Sequence, residues 1–434
     1  MTERTLDNRA VWSWACYDFA NSPFTTLVIT FVYAIFFAQV IAPDPNTGLI
    51  LWSRAVSVTA VVVAVFSPVL GAIADSGGYR KRFLILATAV CVIATSALYG
   101  VEPGEVWAAL ALVVVANIAY EFATVFYNAF LPDVSTPECI GRVSGYGWGL
   151  GYIGGLLALA IALVTLVQPE TPWFGFSTEN GENFRATNLL VAGWFVVFSV
   201  PPLLFLHDTP RQLSAASSPV RDAFAQLARS FREIRRYEHA ARFLFAHMLF
   251  NDGLVTIIAF GGIYAAATFG FTLEEVLLLG IVLNVAAGLG ALVFGHLDDR
   301  LGGKVAVIIS ILGLMFATFI AIFATSKSAF WVAGIVMGIC IGPNQASSRS
   351  LMARLTPTSV QNEFFGFFAF SGKLTAFLGP FLLGVLTQWS GSQRVGISVV
   401  VVLLGIGLGL LLTVDEEAGI RAARLTRLPG PRPR

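Results

Sequence analysis

Twelve stretches of about 20 or more mostly apolar residues succeed one another along this 434-residue chain. A helix needs about 20 apolar residues to cross a bilayer, so the stretches predict twelve membrane spans. They run over residues 11–41, 50–74, 83–100, 105–131, 142–168, 187–206, 241–269, 275–297, 304–325, 329–353, 363–388 and 393–414. The expected fold class is an all-α integral membrane protein. Charge agrees: 12% of the residues are charged, against about 25% in soluble domains. That is too little to coat a globule of this size. It excludes a soluble enzyme, a disordered chain and a nucleic-acid binder, and the formal net charge of +1 leaves no polyanion footprint.

The longest interruption, residues 207–240, divides the spans six and six. Phe224, Leu227, Ala228, Phe231, Ile234 and Arg235 recur there at spacings of three and four, which predicts an amphipathic helix on the membrane surface. The expected organisation is an N-terminal six-helix bundle over 1–206, a linker over 207–240, a C-terminal bundle over 241–414 and a basic tail over 415–434. About 22 of the 27 Lys and Arg fall on one side, while acids dominate the opposite loops. By the positive-inside rule both termini are expected in the cytoplasm. Polar residues Thr2 to Arg9 lead into the first span with no cleavage signal, so that span is expected to be retained. Cys16, Cys91, Cys139 and Cys340 are scattered without a CxxC or His/Cys cluster. They read as packing residues, and no metal site or cofactor is expected.

The chain also repeats itself. The segment from Gly71 through Asp75 and Gly78 to Arg80 returns 224 residues later as Gly295, Asp299, Gly302 and Lys304 at the same spacing. Each copy follows the second span of its half. A second echo aligns Leu131, Thr136 and Pro137 with Leu351, Thr356 and Pro357 at an offset of 220. Two offsets that nearly agree predict two pseudo-symmetric halves of the same topology, related by an axis along the membrane normal.

The duplicated pattern G-x-x-x-D-x-x-G-x-[RK] resembles the signature loop of the major facilitator transporters. A narrower resemblance is carried by four segments: Tyr17-Asp18-Phe19-Ala20-Asn21-Ser22-Pro23-Phe24, Tyr127-Asn128-Ala129-Phe130-Leu131-Pro132-Asp133, Gln345-Ala346-Ser347-Ser348-Arg349-Ser350-Leu351, and Phe364-Phe365-Gly366-Phe367-Phe368-Ala369-Phe370-Ser371-Gly372-Lys373. Together they resemble the bacterial branch of the vacuole-effluxer family, whose fungal relatives are similar to amino-acid exporters of the vacuole. The resemblance implies the major facilitator fold, a bacterial cytoplasmic (inner) membrane location, and a central cavity lined by helices 1, 4, 7 and 10.

Charges within the bilayer cost roughly 2.5–3.5 kcal/mol each on the biological insertion scale, so each needs an account. Asp18, Glu121 and Asp252 lie within helices 1, 4 and 7, with Asn344 and Gln345 on helix 10 and Lys373 on helix 11. Arg349 lies toward the inner end of helix 10. Asp18, Asn21, Glu121, Asn251, Asp252, Asn284, Asn344, Gln345 and Lys373 are the candidate solute-binding residues. Glu121 and Asp252 are the candidate proton-coupling pair, because a desolvated carboxylate gains proton affinity. Asp252, Lys373 and Glu121 would bind both ends of a zwitterion. The bland alternative is that Asp252 and Lys373 pair to hold the second half together, and Asp18 has an equally good reading as a helix-end hydrogen-bonding residue. His247 reads as a packing residue ahead of a proton relay, and Trp148 on glycine-rich helix 5 as a belt, packing or cavity residue.

The duplicated loop predicts a gating latch built from Gly71, Asp75, Gly78, Arg80, Gly295, Asp299, Arg300, Gly302 and Lys304. Gly71 and Gly295 permit close backbone approach, and Gly78 and Gly302 permit tight turns. By symmetry, Asp75 is expected at the start of helix 11 near Gln361 and Asn362, and Asp299 at the start of helix 5 near Gly141 and Arg142. The first copy has Ser76 where the superfamily usually has a base, so the salt-bridge part of the latch is expected mainly from Asp299 and Arg300.

The expected function is that of a secondary transporter, not an enzyme. It would move a small polar or zwitterionic, amino-acid-like solute by alternating access, with proton-coupled export and either protons or sodium as the coupling ion. Lipid is the expected surroundings, nucleic acid is excluded as a partner, and a monomer is the default. Two alternatives stay open: another solute class (sugar, peptide, drug or lipid-like amphiphile), or a receptor or assembly factor on the same fold.

Overall fold

A computed structural model describes residues 7–208 and 237–425. Twelve helices in it are long and apolar enough to cross a membrane. In the N-terminal half they are α1 (Asn8–Ile41), α2 (Pro45–Gly77), α3 (Arg80–Gly100), α4 (Val106–Val134), α5 (Ile140–Val167) and α6 (Glu179–Phe205). In the C-terminal half they are α7 (Glu238–Phe269), α8 (Glu274–Leu301), α9 (Gly303–Phe323), α10 (Lys327–Leu355), α11 (Thr358–Ser390) and α12 (Gln393–Leu412). A shorter helix, α13 (Glu416–Leu425), follows. It forms within the stretch expected to be a basic tail. The expected amphipathic linker helix falls on residues 209–236, outside the described residues.

Local chemistry sets the helix ends. Asp44 accepts hydrogen bonds from the Asn46 and Thr47 N–H groups to open α2, with Pro45 in its first turn. Gly78, at φ +65°, closes that helix in the left-handed region. A capping box between Thr272 and Glu275 opens the eighth span. Asp415 precedes α13 and accepts from the Ala418 N–H, which holds its carboxyl below the usual range.

Within the membrane α11 is interrupted. Helix runs over Gln361–Leu374 and resumes over Leu378–Ser390. Pro380 lies just past the gap, where it has no N–H for the carbonyl four residues back and crowds it. The Gly379-Pro380 pair therefore divides the span into two half-helices one turn upstream of itself.

The two halves meet along two glycine seams, as expected where small residues let membrane helices approach. In the first, a Cβ on Gly71 of α2 would fall 2.2 Å from the Asn362 carbonyl oxygen of α11. One on Gly366 would fall 2.5 Å from the Ser67 carbonyl oxygen. In the second, α5 crosses α8: a Cβ on Gly145 would lie 2.5 Å from the Ala291 carbonyl oxygen, and one on Gly295 would lie 2.9 Å from the Arg142 Cα. The face carrying the α2–α3 and α8–α9 connections, and both described ends, is called the base; the opposite face is the mouth. The seams hold the base closed.

Candidate functional site

The duplicated loop makes two contacts across the base, each from an aspartate to the start of a helix in the other half. Asp75 accepts from the Glu363 N–H and the Asn362 side-chain amide, both at 2.8 Å. Asp299 accepts from the Gly141 N–H at 2.7 Å and the Arg142 N–H at 3.3 Å. Helix N-termini present unpaired N–H groups and a positive dipole end, so a carboxylate is held there by several weak attractions at once.

Arg80 is buried over the Phe130 ring and donates to Asp133, to the Ala129 carbonyl and, across the halves, to Gln361. The second copy differs from the expectation in one residue. Arg300 is exposed, and the cations on Asp299 are Arg142 at 3.5 Å and Arg354 at 3.6 Å. The sequence neighbour points away because adjacent helical positions are about 100° apart. Lys304 donates through Nζ to the Leu412 and Val414 carbonyls at the end of α12.

Two further acids repeat the symmetry. Asp208, after α6, accepts from the Lys81 N–H at the start of α3. Glu416, after α12, accepts from the Gly303 and Lys304 N–H groups at the start of α9 and pairs with Arg354 at 3.1 Å. Arg354 also holds the fully buried Asp298 at 2.7 Å. Asp208, Glu416 and Arg354 escaped the sequence reading; the available signal was that each of the two acids follows the sixth helix of its half.

Near the middle of their spans, Lys373 of α11 donates to Glu121 of α4 at 2.6 Å. Both side chains are partly exposed, at 33% and 18%, and they come from different halves. Asp252 of α7 belongs to neither this pair nor one with Lys373. It is 1% exposed and accepts from the Gly379 N–H, with both oxygens at 3.2 Å. It thus caps the second half-helix of α11, just beyond the gap that Lys373 precedes. The packing decides this outcome: the gap turns the Gly379 N–H toward α7, while Lys373, six residues earlier on the other side of the gap, faces the other half.

The remaining candidates divide by direction. Gln345 accepts from the Tyr152 hydroxyl of α5 at 2.7 Å, across the halves. Asn251 donates to the Gly372 carbonyl at 3.1 Å, beside Lys373. Asn284 donates to the Gly280 carbonyl of its own helix. Asn344 is 2% exposed and donates to Ser310 of α9, so it faces its own half, away from the seam. Asn21 of α1 is buried, at 3% exposed. His247 is buried against the Phe368 ring and bonded to Ser371.

Asp18 carries an unforeseen partner. Its carboxylate accepts from Arg349 of α10 at 2.8 Å, although the two are 331 residues apart in sequence. The same guanidinium donates to the Ser144 hydroxyl, the Ser144 carbonyl and the Asn128 side chain. Its charge lies over Trp14, Tyr127 and Trp148, with centroids at 4.7, 5.7 and 5.6 Å.

Comparison with known proteins places these features in context. Residues 45–424 match the family model described as "Vacuole effluxer Atg22 like". An MFS-type transporter of Bacillus subtilis, YxiO, is 31% identical over 413 residues, covering 93% of this chain and 94% of that one. Autophagy-related protein 22 of Kluyveromyces lactis is 24% identical over 385 residues, covering 81% and 76%. Among solved structures, the MFS proton:xylose symporter XylE superposes with a TM-score of 0.72 at 12% identity, covering 96% and 98%. A bacterial homologue of the iron transporter ferroportin, in an outward-facing state, superposes with a TM-score of 0.70 at 12% identity, covering 94% and 99%. At such identities the structural likeness concerns the fold alone.

Proposed function

Because this chain belongs to the Atg22-like vacuole effluxer family of major facilitator transporters, we propose that it exports a small zwitterionic, amino-acid-like solute by proton-coupled alternating access. The observation that carries this reading is the Glu121–Lys373 pair: opposite charges from different halves, 2.6 Å apart and partly exposed at membrane depth. A solute bearing both charges exchanges one ion pair for two, its carboxylate taking Lys373 and its ammonium taking Glu121. No charge is left uncompensated in a low-dielectric site. A neutral sugar offers no such exchange. The family's description as effluxers supports the direction of transport.

Asp252 fits the coupling role on chemical grounds. It is buried, accepts from the Gly379 backbone N–H, and so caps a half-helix of the span that carries Lys373. Protonation would remove its charge and loosen its hold on Gly379. Sodium at the same carboxylate is the alternative coupling ion. Asp75 and Asp299 would then latch the base, the cytoplasmic side by the positive-inside pattern, in what the family resemblance implies is a bacterial inner membrane.

A thermal-shift screen of the purified protein tests the reading. Amino acids, betaines, sugars and amphiphiles are compared at two pH values and with sodium or potassium. A solute well above its dissociation constant raises the melting temperature. Zwitterions are expected to stabilise the wild type, and Lys373→Met is expected to lose that stabilisation. Selective stabilisation by a sugar or an amphiphile overturns the zwitterion assignment, and sodium-dependent stabilisation overturns the proton assignment.

A further inference from the structure

Arg349 donates four hydrogen bonds through its guanidinium, and neither the duplicated loop nor the Glu121–Lys373 pair accounts for it. Its partners come from three helices of the opposite half. Asp18 lies on α1, Asn128 and Tyr127 on α4, and Ser144 and Trp148 on α5. Arg349 itself is 3% exposed and Asp18 is 14% exposed. Ser144 returns a bond to α10, its hydroxyl donating to the Ala346 carbonyl at 2.7 Å. The guanidinium is thus tied through all three of its nitrogens, and its faces look on aromatic rings within about 6 Å.

Two features mark this box as more than packing. The first is the space made for it. A Cβ on Gly147 of α5 would lie 2.5 Å from the Asp18 carboxylate, 2.7 Å from the Arg349 guanidinium and 3.0 Å from the Trp14 ring. A glycine at 147 is therefore what lets the ion pair sit between α1, α5 and α10. The second is asymmetry. At the repeat offset of 220, the counterpart of Arg349 is Ala129, so the cation was not duplicated with the halves. One side chain of the C-terminal half fastens three helices of the N-terminal half.

We propose that Arg349 is the intramembrane gate on the base side of the transport path. Its pairing with Asp18 and Ser144 holds the base-closed state, and its withdrawal from the aromatic box is a required step of opening. The gate lies within the membrane, separate from the aspartate contacts of the loops, and the proposal stands whatever the solute proves to be. Arg349 acts as a positioning residue: it is buried away from the partly exposed Lys373 and sets which face is open.

The test is the distance distribution between spin labels on two exposed base-side positions in opposite halves, Arg82→Cys and Ser359→Cys, with Cys16 replaced by Ser. Wild type is expected to populate mainly the short, base-closed distance. Arg349→Lys keeps the charge but loses the planar fork and the stacking. It is expected to raise the long-distance population about tenfold, the loss anticipated for charge-assisted hydrogen bonds. Gly147→Ala changes no charge but fills the space of the ion pair, and is expected to shift the distribution the same way. It also carries the test if Arg349→Lys does not fold. Asp18→Asn provides a third reading. A lowered melting temperature with an unchanged distance distribution in the folded variants would show a purely structural role and overturn the gate.

Discussion

Lys373 and Glu121 face each other across the boundary between the two halves, with Nζ 2.6 Å from Oε1. A pair so placed ties the halves together, and under the proposed binding role a solute would separate it, so that the pair would report occupancy. Glu121→Gln and Lys373→Gln are each expected to weaken solute binding by about tenfold, near the lower end for hydrogen bonds to charged groups because both side chains are partly solvated. The charge swap Glu121→Lys with Lys373→Glu is expected to recover part of the loss. A double-mutant cycle on the dissociation constant measures it; strictly additive single effects would mean the two act separately.

Asp252→Asn keeps an oxygen to accept from Gly379 but cannot carry a proton. In proteoliposomes this variant is expected to exchange solute at close to the wild-type rate and to lose accumulation driven by a pH gradient. Exchange and gradient-driven flux measured on the same preparation separate the two. Unaltered accumulation would place the coupling group elsewhere.

The α2–α11 seam predicts a strong response to a single methyl group. A Cβ at 71 would meet the Asn362 carbonyl oxygen at 2.2 Å, and backbone cannot give way as a side chain can. Gly71→Ala is expected to separate the halves at the base and lower the stability of the closed state by about 1–3 kcal/mol. Asp75→Asn, which weakens the same contact without bulk, is expected to act in the same direction and less strongly. Protease or thiol-reagent access to the base compares them.

Glu416 joins three groups: the Gly303 and Lys304 N–H groups that open α9, and Arg354. Glu416→Gln still accepts from the N–H groups but leaves Arg354 with less negative charge around it. A destabilisation of about 1 kcal/mol is expected, read as a lower melting temperature in detergent. Truncation after Asp415 is expected to cost more, because it also removes the contact of Gly419 and its helix with Leu355 and His239.

Much of this architecture was legible in the residues. Hydropathy gave the spans because every lipid-facing helix must be apolar over a fixed length. The repeat located the contacts of Asp75 and Asp299, because a duplicated half reproduces its interfaces and a carboxylate near a helix start has one favourable partner. The glycines of α5 were ambiguous in the sequence. Gly145 and Gly149 face α8, while Gly147, Gly151 and Gly154 face α1, a division that spacing permits but does not assign.

By itself, then, the sequence determined the number of spans, their grouping into halves, and the position of each charge along its span, since that position follows from counting residues along a helix of known rise. Only the tertiary structure decided which charges meet. Asp252, Glu121 and Lys373 lie at similar depth, and depth alone allows Lys373 to pair with either acid. The gap in α11 sends Lys373 to Glu121 and the Gly379 N–H to Asp252. Arg349 finds Asp18 across 331 residues because α10, α1 and α5 converge where Gly147 leaves room. Pairing depends on the rotation of each helix about its axis and on how closely its neighbours approach, and those are properties of the packed assembly.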